Sequence, residues 1–476
     1  MFVGRKAELK ALNSMYEKDS FQLAVVYGRR RVGKTTLIDE FVRNKPTLFF
    51  TAQQKSSVQN LQAFSREVYI AFGLPSDTGA FSSWSSALSF IAQKVIERED
   101  AGEPPLVLVF DEFPYAAETD PALPSIFQIA IDREFRSTRL RIILCGSNEG
   151  FMESEVLGRK SPLYGRRTMQ LHIRPFDYLD AAAMLPDSSA ADYVRYYATF
   201  GGTPYYLAQI DRSLSYEDNV RSLLFTTSGL LYEEPLMLLR QEFREPALYN
   251  SVLDAVGAGN GTPNRIAAHA GIEPNSAGKY IRQLKELGIL EKEMPFGDNP
   301  AISRKGRYRL GDPFFAYWYQ FVSGNVGAIE AGAGEAVAQR CLEESELSTY
   351  IGRQFERICL QWIMRQNAAG SLPFLATEFG RWWGTDPTVR EEADIDVIAA
   401  NKKAKTILLG ECKWRNGFDE SAALKTLEHR AELIKKYSSK IFVLFSKYEA
   451  SEGTKGKVQT QGNVMLVCAD EMYGER

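Results

Sequence analysis

At 476 residues the chain is longer than one hydrophobic core organises, and roughly two to four domains are expected. Apolar and charged fractions of 45% and 25% exclude a disordered or low-complexity chain, and no apolar run reaches the length of a membrane span. A net charge of −3 excludes global attraction to nucleic acid, so any such binding needs local basic patches.

Strand-like segments come first: FQLAVVYG (21–28), TLFFTA (47–52), PLVLVFDEF (105–113), LRIILCGS (140–147) and MQLHI (169–173), with helical patterns between them. The first, third and fourth are continuous apolar runs, as strands buried on both faces of a parallel sheet require. Residues 1–176 therefore read as an α/β domain. From 177 to 243 the pattern turns helical, with LDAAAML, ADYVRYYATF and YYLAQI, and reads as a small lid. Over 244–312 three short helices precede ILEKEMPF, a GDNP turn and RYRL, the order of a winged helix. Residues 313–345 read as a connector with an aromatic run, DPFFAYWYQF. Over 346–476 the order is helix, three strands, helix, strand. The fold class is thus α/β and multidomain.

The turn after the first strand is Gly28-Arg29-Arg30-Arg31-Val32-Gly33-Lys34-Thr35, followed by Thr36 and a helical pattern. It fits G-x-x-x-x-G-K-[ST] in the strand-to-helix setting that gives the motif meaning. Glycines let the main chain curl so that its N–H groups face phosphate, and the helix start adds positive dipole. Lys34 is expected to reach the β- and γ-phosphates of ATP, and Thr35 to ligate Mg²⁺. Asp111 and Glu112 end an apolar strand, where a second Mg²⁺-coordinating carboxylate and a water-orienting glutamate belong. Ser147 or Asn148 could sense the γ-phosphate, and a plain structural turn fits them as well. Arg166 is the candidate for compensating transition-state charge, in cis or in trans, with Arg167 beside it a weaker one and a solvated surface arginine the alternative.

With those residues placed, the sequence resembles the prokaryotic P-loop ATPases called archaeal-type ATPases, relatives of AAA and STAND NTPases. FVGRKAEL (2–9), YGRRRVGKTTLI (27–38), FDEFPY (110–115) and GGTPYYL (201–207) carry the resemblance. It implies that Val3, Arg5 and Pro204 flank the adenine. The C-terminal half looks like the domain of unknown function that follows this module in the family, through RLGDPFFAYWYQF, FGRWWG and ADIDVIA…LLGECKW.

The tail also resembles PD-(D/E)xK nucleases, restriction-endonuclease-like α/β domains with an acidic residue on one strand and ExK on the next. Asp396 precedes Glu411 and Lys413 in that order, and Glu356 lies on the preceding helix. Strand alternation puts Glu411 and Lys413 on one face, with Cys412 on the other, and gives Asp394 the face of Asp396. Asp396 and Glu411 suit a hard cation, Mg²⁺ or Mn²⁺ in its place, while Lys413 would position or deprotonate water. The competing reading is an ordinary ion pair on a half-exposed strand. Lys402, Lys403, Lys405, Arg415, Lys425, Arg430, Lys435 and Lys436 are expected to track a nucleic-acid backbone. Trp382 and Trp383 read as packing residues. In the winged helix, Lys279, Arg282 and Lys285 lie off the apolar face, with Arg304, Lys305 and Arg307 near the wing, so groove binding and simple solvation both remain open.

Scattered cysteines without CxxC spacing and three distant histidines leave the chemistry to carboxylates, Lys and Arg. MFVGRKAELK lacks the apolar core of a signal peptide, so a cytoplasmic protein with no membrane partner is expected. The leading expectation is an ATPase that couples nucleotide state to binding or metal-dependent cleavage of nucleic acid, DNA favoured over RNA. The alternatives are a non-catalytic, STAND-like DNA-binding or signalling switch with a degenerate nuclease fold, and an ATPase acting through nucleotide-dependent homo-oligomerisation.

Overall fold

A computed structural model describes residues 2–75, 79–299, 303 and 305–474. Arg304 lies outside the described residues. The chain forms two compact units, Met1–Pro175 and Phe176–Arg476.

In the first unit five strands form one parallel sheet: β1 (Gln22–Tyr27), β2 (Thr47–Thr51), β3 (Val107–Asp111), β4 (Arg141–Gly146) and β5 (Met169–His172), in the order β2-β3-β4-β1-β5. The central β1, β3 and β4 are buried at every position, which is why their sequences do not alternate. Their side chains still alternate in space. Leu23, Val25, Leu108 and Phe110 join a core with Phe64, Trp84 and Phe127, while Ala24, Val26, Val107 and Val109 face Leu12, Leu37 and Phe41. Helices therefore cover both faces, and the functional loops gather at the C-terminal ends of the strands.

The second unit begins with helices, among them Ala190–Phe200, Tyr216–Leu224 and Glu234–Glu242. Pro246–Gly257, Pro263–Ala270 and Pro274–Glu286 follow, each opened by a proline whose missing N–H costs nothing at a helix start. The antiparallel hairpin β6 (Leu290–Glu293) and β7 (Arg307–Leu310) follows these three helices. Residues 313–345, read above as a connector, are helical over most of their length and deeply packed. Phe314, Phe315, Tyr317 and Val322 are fully buried, and the Trp318 indole N–H donates to the Tyr232 carbonyl at 2.7 Å.

The tail sheet comprises β8 (Glu378–Asp386), β9 (Glu391–Asn401), β10 (Thr406–Lys413), β11 (Ser439–Ser446) and β12 (Val464–Cys468), in the order β12-β11-β10-β9-β8. β8, β9 and β10 pair antiparallel, whereas β10, β11 and β12 are parallel. The helix Glu344–Ala369 packs on one face and Glu420–Ala431 on the other. Beyond the expected order come Glu452–Gln461, β12 and Ala469–Tyr473. The sequence EGTKGKVQTQ hid the first of these, because it buries only Thr454 and carries no helical apolar period. Strand β8 starts at Glu378, whereas the segment PFLATEFGRWW (373–383) reads as strand from its first apolar residue, Phe374.

Candidate functional site

The loop between β1 and the helix Lys34–Val42 owes its curl to three left-handed or positive-φ residues: Gly28 at 152°, Arg31 at 72° and Gly33 at 87°. A methyl group on Gly28 would lie 2.2 Å from the Ile173 carbonyl oxygen, so the end of β5 requires a glycine there. Val32 is buried. Its carbonyl accepts from Arg5 Nη2 at 2.9 Å, and the same nitrogen donates to the Arg174 carbonyl at 2.5 Å. Arg5 therefore braces the phosphate loop from behind. Val3 is half-buried beside it in sequence. Arg29 is buried, while Arg30 donates to the Tyr115 hydroxyl and lies over that ring.

Lys34 is buried with its ammonium on the loop's own carbonyls, Gly28 at 2.7 Å and Arg29 at 2.9 Å. Thr35 and Thr36 open the helix on its exposed side, and Thr35 Oγ1 donates to Asp111 Oδ2 at 3.1 Å. The other oxygen, Asp111 Oδ1, accepts from the Glu112 N–H at 3.0 Å. Glu112 itself adopts a left-handed conformation with φ of 49°, a cost borne where chain direction matters more than stability. Its Oε2 accepts from Ser147 Oγ at 2.8 Å and from the Ser147 N–H at 3.3 Å. Ser147 is thus the residue joined to Glu112, whereas Asn148 caps a helical turn by accepting from the Phe151 N–H at 3.0 Å. The Asp111 charge, after burial, also pushes the Asp39 carboxyl upward. A positive-φ loop, a buried lysine satisfied by main-chain oxygens and a hydroxyl on a strand-end carboxylate together fit a triphosphate with Mg²⁺, which Thr35 and Asp111 would hold.

Arg166 pairs with residues outside this set. Its guanidinium grips Asp132 at 3.0 and 2.5 Å and donates to the Pro162 carbonyl at 2.8 Å, and that pairing holds the Asp132 carboxyl below its usual range. Arg167 donates to the Leu157 carbonyl at 3.0 Å. The sequence could not show this, because Asp132 is distant along the chain. Pro204 belongs to the second unit, where it opens the turn Pro204–Leu207. There the preceding Gly202 accepts from the Phe176 N–H at 2.7 Å and leaves no room for a methyl group, whose carbon would sit 1.8 Å from the Phe176 carbonyl oxygen.

In the tail, Glu356, Asp396, Glu411 and Lys413 lie in one electrostatic neighbourhood. Lys413 Nζ meets Glu411 Oε1 at 2.6 Å, and Arg430 lies 3.5 Å from the other Glu411 oxygen and 3.2 Å from Asp394. Arg381, which no local motif singles out, stands 3.2 Å from Glu356 and 3.7 Å from Asp394. Asp396 accepts from the Cys412 N–H at 2.9 Å. Burial, reinforced by the charges of Glu356 and Glu411, pushes its carboxyl well above the usual range. Burial raises Glu356 as well, against the pull of Arg381. No group of three or more His, Cys, Asp or Glu with metal-holding geometry occurs among the described residues. Glu356, Asp394 and Glu411 instead meet Arg381, Lys413 and Arg430.

Two further expectations change. Lys402, Lys403 and Lys405 turn the chain between β9 and β10, roughly 20 Å along the strand from Glu411, and cannot line its surroundings. Trp382 packs into the sheet core as expected, but Trp383, on the opposite face, lines an open groove.

Residues 2–210 match a family described as an ATPase domain predominantly from Archaea, and 318–430 match one described as archaeal and bacterial proteins of unknown function. An uncharacterised protein of Methanocaldococcus jannaschii, MJECL04, is 30% identical over 470 residues, 98% of each chain. An uncharacterised ATP-binding protein of that organism, MJ0423, is 51% identical over 45 residues, 10% of this chain and 76% of its own. The Walker-type ATPase PABY2304 of Pyrococcus abyssi aligns with 67% of this chain and 96% of its own at 19% identity and a TM-score of 0.49.

Proposed function

We propose, from the premise that the chain belongs to the family of archaeal-type ATPases that includes MJECL04, that it is a nucleotide-controlled switch whose second unit binds nucleic acid. The observation that carries the ATPase reading is the joined set Lys34, Thr35, Asp111, Glu112 and Ser147 around one curled loop. Lys34 exchanges its carbonyl partners for phosphate oxygens. Mg²⁺, when bound, offsets charge on the β- and γ-phosphates. Glu112 orients and accepts a proton from the attacking water, and Ser147 holds the carboxylate that does so. Exposed basic side chains of the second unit, in a chain whose net charge is −3, support a polyanionic partner, DNA before RNA.

The test is ATP turnover and nucleic-acid affinity of the purified chain with ATP, with ADP and without nucleotide. Lys34→Ala should abolish nucleotide binding, and Glu112→Gln should bind ATP without hydrolysing it. Nucleic-acid affinity that ignores both nucleotide and Lys34→Ala would sink the coupling.

A second reading, metal-dependent phosphodiester cleavage by the tail, is favoured by one observation: Asp396, Glu411 and Lys413 on the mixed sheet lie in one electrostatic neighbourhood with Glu356 on the helix packed against it, in nuclease order. It requires the carboxylates to release their arginine and lysine partners. Cleavage of single- or double-stranded DNA or RNA with Mg²⁺ or Mn²⁺, lost in Lys413→Ala, would support it. No cleavage of any of them, in any nucleotide state, rules it out.

A further inference from the structure

An open groove of about 1000 Å³ runs between the wing β6–β7, the turn from Gly259 to Thr262 and the β8 end of the tail sheet. Six cations line it, Arg265, Lys305, Arg307, Arg309, Arg353 and Arg381, against three anions, Glu293, Glu356 and Asp394. Such an excess is local, since the whole chain carries −3. Arg309 is paired with Glu291 and Glu293, and Arg381 with Glu356 and Asp394. Arg265, Lys305, Arg307 and Arg353 are exposed and form no ion pair with any described residue.

Exposed like charges gathered in one slot repel each other unless a polyanion neutralises them, and releasing its counterions drives the association. An aromatic ring adds a second requirement. Trp383 lines the slot, with the Arg381 guanidinium 5.9 Å from its ring centre, so a planar base can stack where a phosphate is also held. The slot has the size of a small-ligand pocket, which a single strand can thread, whereas a winged helix meets duplex DNA on an open face. Its inner end reaches Glu356 and Asp394, the edge of the tail carboxylate cluster.

We propose that this groove, rather than the exposed face of the helix Pro274–Glu286, seats a single-stranded nucleic acid, with its phosphates on the four unpaired cations and a base on Trp383. The inference rests on the reading of the second unit as a nucleic-acid binder. It makes the wing and the tail one binding surface, with Arg381 passing between a carboxylate and a phosphate as the strand enters.

The full-length chain is titrated with a fluorescent oligothymidine, the matching duplex and heparin across a salt series. The groove variant Arg265→Ala/Arg307→Ala/Arg353→Ala should weaken single-strand binding at least tenfold and flatten its salt slope by about two. Trp383→Ala should weaken it roughly fivefold to a hundredfold, with Trp383→Phe recovering most of the loss. Lys279→Ala/Arg282→Ala should bind as the parent does, and every variant should keep parental ATP affinity. All of these side chains but Trp383 are exposed, so the fold should survive their removal. A groove variant that binds as tightly as the parent overturns the proposal while leaving the wider reading intact, as does duplex bound more tightly than single strand. A Trp383→Ala variant with unchanged affinity, or heparin that binds as well as the oligonucleotide, reduces the groove to a general polyanion surface and also overturns it. A parent chain that binds no nucleic acid in any nucleotide state overturns the wider reading itself.

Discussion

Replacing Gly28 by alanine tests whether the phosphate loop is held in shape by β5 as well as by its own sequence. The new methyl carbon would sit 2.2 Å from the Ile173 carbonyl oxygen, so the ends of β1 and β5 must separate by about 1 Å before it fits. Those ends are joined at that point by the Ile173 N–H, which donates to the Tyr27 carbonyl at 2.7 Å. Losing this buried bond costs about 1–3 kcal/mol, and the crowding with an unfavourable φ of 152° adds about 1–3 kcal/mol. A destabilisation of about 2–6 kcal/mol is therefore expected. A loop displaced by about 1 Å should also lower ATP turnover about a hundredfold. Gly102→Ala is the control, since its φ is 72° but no atom lies within 4 Å of the added carbon, and it should cost only about 1 kcal/mol. Urea denaturation and a phosphate-release assay of ATP turnover read both effects. Gly28→Ala with stability and ATP turnover matching Gly102→Ala would refute the contact as the cause.

Ser147→Ala removes the hydroxyl that holds Glu112 at 2.8 Å, and should lower kcat for ATP about tenfold while KM stays within about twofold. Arg166→Ala should keep ATP turnover and lose only about 1 kcal/mol, because the half-exposed pair with Asp132 is structural; a hundredfold fall in turnover would restore Arg166 to the active site. Asp386, held by Thr388 and then by His429, has its carboxyl lowered to about 2. A depressed carboxyl stabilises the fold above its unfolded pKa of about 3.9 and loses that contribution as pH falls through about 2. Asp386→Asn should thus lower the melting temperature at pH 7, and the difference from the parent should shrink between about pH 4 and 2. An equal difference across that range would show that charge is not the cause.

Local pattern determined a large part of the molecule. Runs such as LVLVFD and RIILCG are apolar because both faces of the sheet are covered, and the loop from Gly28 to Thr35 announces its chemistry because curling the chain around phosphate demands glycines at fixed spacing. The order of three helices and a hairpin over 244–312 was legible for the same reason: each proline-led helix and the hairpin carry their own start signals. Tertiary structure decided what long-range partners decide. Nothing near Arg166 in the sequence points to Asp132, nothing near Ser147 points to Glu112, and nothing in FGRWWG says that Arg381 will meet Glu356 while Trp382 and Trp383 part to opposite faces. The GECKW stretch shows the division most clearly. Alternation placed Glu411 and Lys413 together on one face, but only the packing of β9 and the helix Glu420–Ala431 brought Arg430 and Asp394 to them and turned a two-residue motif into a charge cluster balanced by the protein's own cations. A sequence fixes which groups can ionise and how they alternate; the balance of their charges depends on neighbours that only folding supplies.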